Sequence, residues 1–138
     1  MTYQEIKLKH SDAYNKILDD CGTFWAFSND RFQEGIKKLK EFNKLKEGEK
    51  VTNIGAGGFM PSKNIDKFTK LIKEANKTKT RELKEAREAK TEAILYELNN
   101  YECFYTGDTT EVIEIFKGIY SITDIKKVYK ANYQDANL

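Results

Sequence analysis

Histidine, arginine, proline and cysteine are all scarce in this chain. The lone His10 and the two distant cysteines, Cys21 and Cys103, show no CxxC spacing, so neither a zinc site nor a disulfide framework is supported. Two buried free thiols are expected, with no metal and no cofactor. A single proline, Pro61, leaves long stretches free to be helical. No apolar run approaches the ~20 residues that cross a bilayer. The N-terminus, "MTYQEIKLKH", also lacks the apolar stretch of a secretion signal, so a cytosolic protein without a membrane partner is expected.

What remains is a chain 39% hydrophobic and 33% charged, the composition of an ordered, helix-rich protein, and its 138 residues fit one domain with one core. Charge is nearly balanced at +2 but unevenly placed: +1 over residues 1–50, +3 over 51–100 and −2 over 101–138. The middle is the basic part. Lysine outnumbers arginine 21 to 3, as expected of an AT-rich genome, which weakens any argument from lysine count alone.

Ser11 is placed to cap a helix over residues 12–20, and Gly22 to end it. "TFWAFS", residues 23–28, reads as a strand apolar on both faces, with Phe24 and Ala26 on one side and Trp25 and Phe27 on the other. Such a strand needs cover on both sides, and Trp25 is the ring expected at an interface. A helix starts at Ser28 or Asn29 and buries Phe32, Ile36 and Leu39. "KVTNI", residues 50–54, predicts a second strand, followed by an irregular loop, "GAGGFMP", whose Phe59 and Met60 form an apolar pair and a candidate contact point.

From residue 64 to 101 the apolar positions keep one helical phase, which predicts a single helix roughly 57 Å long at 1.5 Å per residue. Asp108 and Glu111 suggest a capping box before a short helix bearing Val112, Ile115 and Phe116. Thr123 is placed to cap the last helix, with Ile125, Val128 and Tyr129 inward, and "ANYQDANL" is expected to fray. The fold expected is α+β and mostly helical. A small antiparallel sheet of two strands, or three if residues 3–9 join, would pack on one long helix and a C-terminal helical pair.

Against the apolar face, Lys63, Lys67, Lys70, Lys77, Arg81 and Lys84 recur in steps that place them on one side of that helix, with Glu74 and Glu88 interrupting. Cations so spaced neutralise successive phosphates or meet an acidic protein surface, although a charged outward face also serves solubility alone. Trp25, Phe59 and Met60 are the expected apolar anchors. The glycine loop before Lys63 fits neither phosphate-binding pattern, G-x-x-x-x-G-K-[ST] or G-x-G-x-x-G. Support for catalysis is thin: His10 reads as a surface residue, and Asp19, Asp20, Glu102 and Asp108 have no spacing that demands pairing. Six tyrosines crowd the last third, at 96, 101, 105, 120, 129 and 133, a residue type enriched at protein interfaces.

"CGTFWAFSNDRFQEG", "VTNIGAGGFMPSKNIDKF" and "ILYELNNYECFYTGD" resemble, in that order, segments of a family of small bacteriophage and prophage proteins with no assigned activity. The likeness covers roughly residues 15–130 and brings no catalytic residue; the charged stretch at 76–92 departs from it. The resemblance implies a phage accessory protein in the cytoplasm of a bacterial host. It further implies a non-enzymatic inhibitor of host defence, an anti-CRISPR-type protein that binds an RNA-guided nuclease or its guide-RNA site. Direct nucleic-acid binding is the second expectation. A small nucleotide or nucleic-acid enzyme using His10 or Asp108 is the third. The oligomeric state is left open.

Overall fold

Thr2 starts the first helix by accepting a hydrogen bond from the Glu5 amide at 3.1 Å. From there α1 runs over Tyr3–Asp20 in the computed structural model, which describes residues 1–136 and the side chains of residues 1–133. Residues 3–9 are therefore helical and do not join the sheet. Tyr3 and Ile6, three apart and both buried, share a helix face, whereas Leu8, which would side with Ile6 in a strand, is exposed. Ser11 lies inside α1 and caps nothing.

The chain packs as two compact units, each with its own core: a central unit, His10–Asn76, and a terminal unit, Met1–Lys9 with Lys77–Leu138. In the central unit a two-residue strand, β1 (Phe24–Trp25), is followed by α2 (Asn29–Glu41), whose first turn is capped by the Ser28 hydroxyl accepting from the Arg31 amide. Strands β2 (Val51–Gly55) and β3 (Gly58–Pro61) complete an antiparallel sheet of order β1-β3-β2, in which Phe24 faces Phe59 and Trp25 faces Gly58.

The third strand thus comes from the stretch expected to be an irregular loop. Ala56 and Gly57, between β2 and β3, both have positive φ, +52° and +80°, as a two-residue hairpin turn of type I′ requires. Pro61 is tolerated in the middle strand because it is the last residue of β3 and pairs only with Val51, beyond the reach of β1.

Two small apolar groups hold this unit. Leu18, Cys21 and Met60 are buried, with Ile17, Ile54, Ile65, Phe68 and Leu71 packed around them. The rings of Phe24, Phe32 and Phe59 sit 4.9–5.9 Å apart. Gly35 of α2 lets Phe24 approach so closely that a Cβ there would lie 2.2 Å from its ring.

After a 3-10 turn at Ser62–Asn64, α3 (Ile65–Glu85) begins in the central unit and ends in the terminal one. The single helix expected over 64–101 is broken. Ala86 has φ −84° and ψ +70°, a 3-10 turn follows at Arg87–Ala89, and α4 (Lys90–Asn100) starts afresh. Neither Ala86 nor Ala89 has a side chain able to cap, so no local signal marks the break.

In the terminal unit, α4 buries Ala93, Ile94 and Leu98 against α5 (Cys103–Thr106), α6 (Thr110–Ile115) and α7 (Ile122–Ala136). Val112 and Phe116 point inward as expected, but Ile115 is exposed. The caps also differ from expectation: Asp108 accepts from the Thr110 amide at 2.9 Å, and Ser121, not Thr123, accepts from the Asp124 amide at 3.1 Å. Residues 131–136 are helical, while 137 and 138 lie outside the described residues.

Among the described residues of this unit one charged side chain is buried. The Glu97 carboxylate accepts from the Tyr3 hydroxyl at 3.0 Å and the Lys7 ammonium at 3.2 Å, and Lys7 also lies 4.3 Å over the Tyr96 ring. Together they tie the start of α1 to α4.

Candidate functional site

The rings in and just after β1 divide. Phe24 turns into the ring cluster of α2 and β3, while Trp25, 52% exposed, and Phe27, 78% exposed, remain at the surface. Their positions are set by two glycines of the hairpin. A Cβ at Gly58 would come within 2.7 Å of the Trp25 ring, and one at Gly57 within 2.4 Å of the Phe27 ring. Both rings therefore lie against bare backbone. Two large apolar surfaces are held in place with part of each open to solvent, and residues 22–30 around them carry no cation.

Of the other expected anchors, Phe59 is half-buried in the ring cluster and Met60 is completely buried. Met60 is removed from the candidate surface, because a residue of β3 turned toward Leu18 and Cys21 is core. Phe27 takes its place. The sequence carried the signal in the alternation that puts Phe27 on the side of Trp25.

The six cations divide between the units. Lys63, Lys67 and Lys70 belong to the central unit; Lys63 sits in the 3-10 turn and bonds Glu49 at 2.8 Å. That bond is the main reason the Glu49 carboxyl is held below its ordinary range. Lys77, Arg81 and Lys84 belong to the terminal unit, are exposed, and form no ion pair among the described residues. They span about 10 Å of α3 at 1.5 Å per residue.

A second group of cations lies beyond the break. A cavity of about 290 Å³ in the terminal unit is lined by Leu83, Lys84, Arg87, Lys90, Ile119 and Tyr120. Lys90 bonds Asp124, and that bond, with a lesser one from Ser121, holds the Asp124 carboxyl below its ordinary range. The Tyr120 hydroxyl donates to the Leu83 carbonyl at 3.3 Å. Sequence reasoning missed Arg87 and Lys90 and named Tyr120 only among six tyrosines, because only the break at Ala86 brings the three to one place.

The candidate catalytic residues have local explanations. Asp108 is a cap, its carboxyl held below the ordinary range by hydrogen bonding to Thr110, and His10 is a half-buried residue within α1. Cys21 and Cys103 are buried free thiols, pushed up by that burial. Among the described residues no group of histidine, cysteine and carboxylate side chains is placed to hold a metal ion, and no helix is long and apolar enough to cross a membrane.

No curated protein and no solved structure matches the chain. A family of unknown function, DUF7659, matches residues 2–135, and the chain belongs to that family.

Proposed function

We propose that this chain is a non-catalytic binding protein that captures a protein partner through the Trp25–Phe27 surface of its central unit. The observation that carries the reading is the seating of both rings on Gly57 and Gly58 with about half or more of each exposed. Rings fixed before binding lose little entropy on contact, and tryptophan is the residue type most enriched among interface hot spots. A protein occupant fits better than a nucleic acid, since base-stacking platforms are flanked by cations and residues 22–30 have none. For the biological role we propose counter-defence, with a host RNA-guided nuclease as partner. That part rests on the resemblance to small phage proteins and on no individual residue.

The test starts with capture of partners from host lysate with and without ribonuclease, followed by affinity measurement on the purified partner. Trp25→Ala/Phe27→Ala is expected to weaken binding about thirtyfold or more, the scale of a hot-spot pair. Unchanged affinity, or a partner released by ribonuclease, would overturn the reading.

A second reading is favoured by Lys77, Arg81 and Lys84, exposed and without an ion pair among the described residues: direct RNA binding by the terminal unit. Three phosphate contacts on a single strand predict log affinity falling with log salt at a slope of about −2. Reversing the three charges should abolish that binding without lowering thermal stability, and a flat salt response would exclude it.

A further inference from the structure

The cavity at the α3–α4 break combines cations with an apolar floor. Lys84 and Arg87 form no ion pair among the described residues, while Lys90 is bonded to Asp124. Two cations at the cavity are thus left unneutralised, which matches the charge of about −1.5 to −2 on a phosphate monoester near neutral pH. Arg87 adds a planar fork suited to two phosphate oxygens at once. The floor is rigid, with Tyr120 anchored by its hydroxyl to Leu83 and its ring 5.0 Å from that of Phe116.

The break itself points the same way. Residues 82–90, "ELKEAREAK", are all strong helix formers, and no side-chain cap rewards stopping at Ala86. On an unbroken helix Lys84, Arg87 and Lys90 would fan over about 120°. Packing of Leu83, Ala89 and Tyr120 in the core overrides that preference, and the override is what gathers the cations at one cavity.

We propose that this cavity binds a small phosphorylated ligand of about mononucleotide size, its phosphate held by Lys84 and Arg87 and its apolar part against Ile119 and Tyr120. The volume, about 290 Å³, is at the small end of ligand pockets and admits one such molecule. The site is independent of the Trp25–Phe27 surface.

The experiment titrates the full-length protein with adenosine 5′-monophosphate, adenosine and inorganic phosphate, read by calorimetry and amide NMR. Saturable binding of the monophosphate is expected, with shifts at residues 83–90 and 119–120. Lys84→Ala/Arg87→Ala should weaken it at least about tenfold, while Lys126→Ala/Lys130→Ala, an equal loss of charge on exposed positions of α7, should not. No saturable binding, adenosine bound as tightly as the monophosphate, or equal weakening by the α7 variant would each overturn the proposal. A 5′-phosphorylated tetraribonucleotide separates the sources: displacement of the monophosphate at lower concentration assigns the phosphate to a strand end, and failure to displace assigns it to a free nucleotide.

Discussion

Among the described residues the terminal unit gathers thirteen buried side chains into one cluster, whereas the central unit's cluster holds three, Leu18, Cys21 and Met60. The larger core contains a buried carboxylate, Glu97, and its unit's exposed rings are tyrosines at 96, 101, 105 and 133. The smaller core's unit exposes Trp25, Phe27 and Phe42, rings without a hydroxyl, beside one tyrosine, Tyr14. Rings without a hydroxyl keep more apolar area in water than tyrosines do, and burial of apolar area is what a protein contact rewards. The difference is why the proposed capture surface is assigned to the central unit and the proposed phosphate site to the terminal one.

The largest expected effect separates the units directly. Glu97→Ala leaves the buried Tyr3 hydroxyl and the Lys7 ammonium without their acceptor. Breaking a buried pair costs about 3–5 kcal/mol, and Lys7 is a third exposed, so the low end applies. Trp25 is the chain's one tryptophan and lies in the central unit, so its fluorescence reports that unit while circular dichroism reports the whole. The expected outcome is a lowered dichroism transition with an unmoved fluorescence transition. Both falling together would mean that the units unfold as one.

A smaller effect runs in the opposite direction. Gly35→Ala puts a Cβ 2.2 Å from the Phe24 ring, and overpacking of this kind costs about 1–3 kcal/mol. Here the fluorescence transition should fall. Equal loss in a dichroism phase belonging to the terminal unit would again erase the distinction.

Alkaline pH sharpens the contrast without mutation. Burial raises Tyr3 and Tyr120, with the Glu97 carboxylate adding to the effect on Tyr3, and both lie in the terminal unit. A phenol raised on folding supplies stability that is whole below its unfolded pKa of about 10 and is lost as pH climbs from there toward the folded value. Each unit also has one buried thiol raised by burial, Cys21 or Cys103, so the loss that begins near pH 8.5 is shared. Above about pH 10 the terminal unit should weaken further, seen as a dichroism transition whose midpoint falls faster with pH than that of Trp25 fluorescence. A parallel fall would show that Tyr3 and Tyr120 ionise without cost to their unit.

Much of this contrast was legible in the sequence. The α+β class, α2 with its Ser28 cap, β2 and the inward Val112, Phe116 and Ile125 follow from periodicity and capping chemistry that act locally. Three features were not. Residues 3–9 offer too few apolar positions to separate a period of two from 3.6. The β2–β3 hairpin hid behind Ala56, a non-glycine residue at φ +52°. The break at Ala86 opposes every local preference, so only packing around Leu83, Ala89 and Tyr120 explains it. That is why the basic stripe was visible and the basic cavity was not.

The smallest expected effect on stability belongs to Trp25→Ala/Phe27→Ala. Trp25 and Phe27 lie on the backbone of Gly57 and Gly58 and outside the buried cluster, so removing them should leave the fold within about 1 kcal/mol of its original stability. Gly58→Ala makes the complementary change: the added methyl would meet the Trp25 ring at 2.7 Å and must push it off its seat while leaving its chemistry intact. If capture depends on the ring merely being present, Gly58→Ala binds as well as the original. If it depends on the ring being held, Gly58→Ala loses affinity with Trp25 still exposed, and preorganisation rather than hydrophobic area is what the central unit offers its partner.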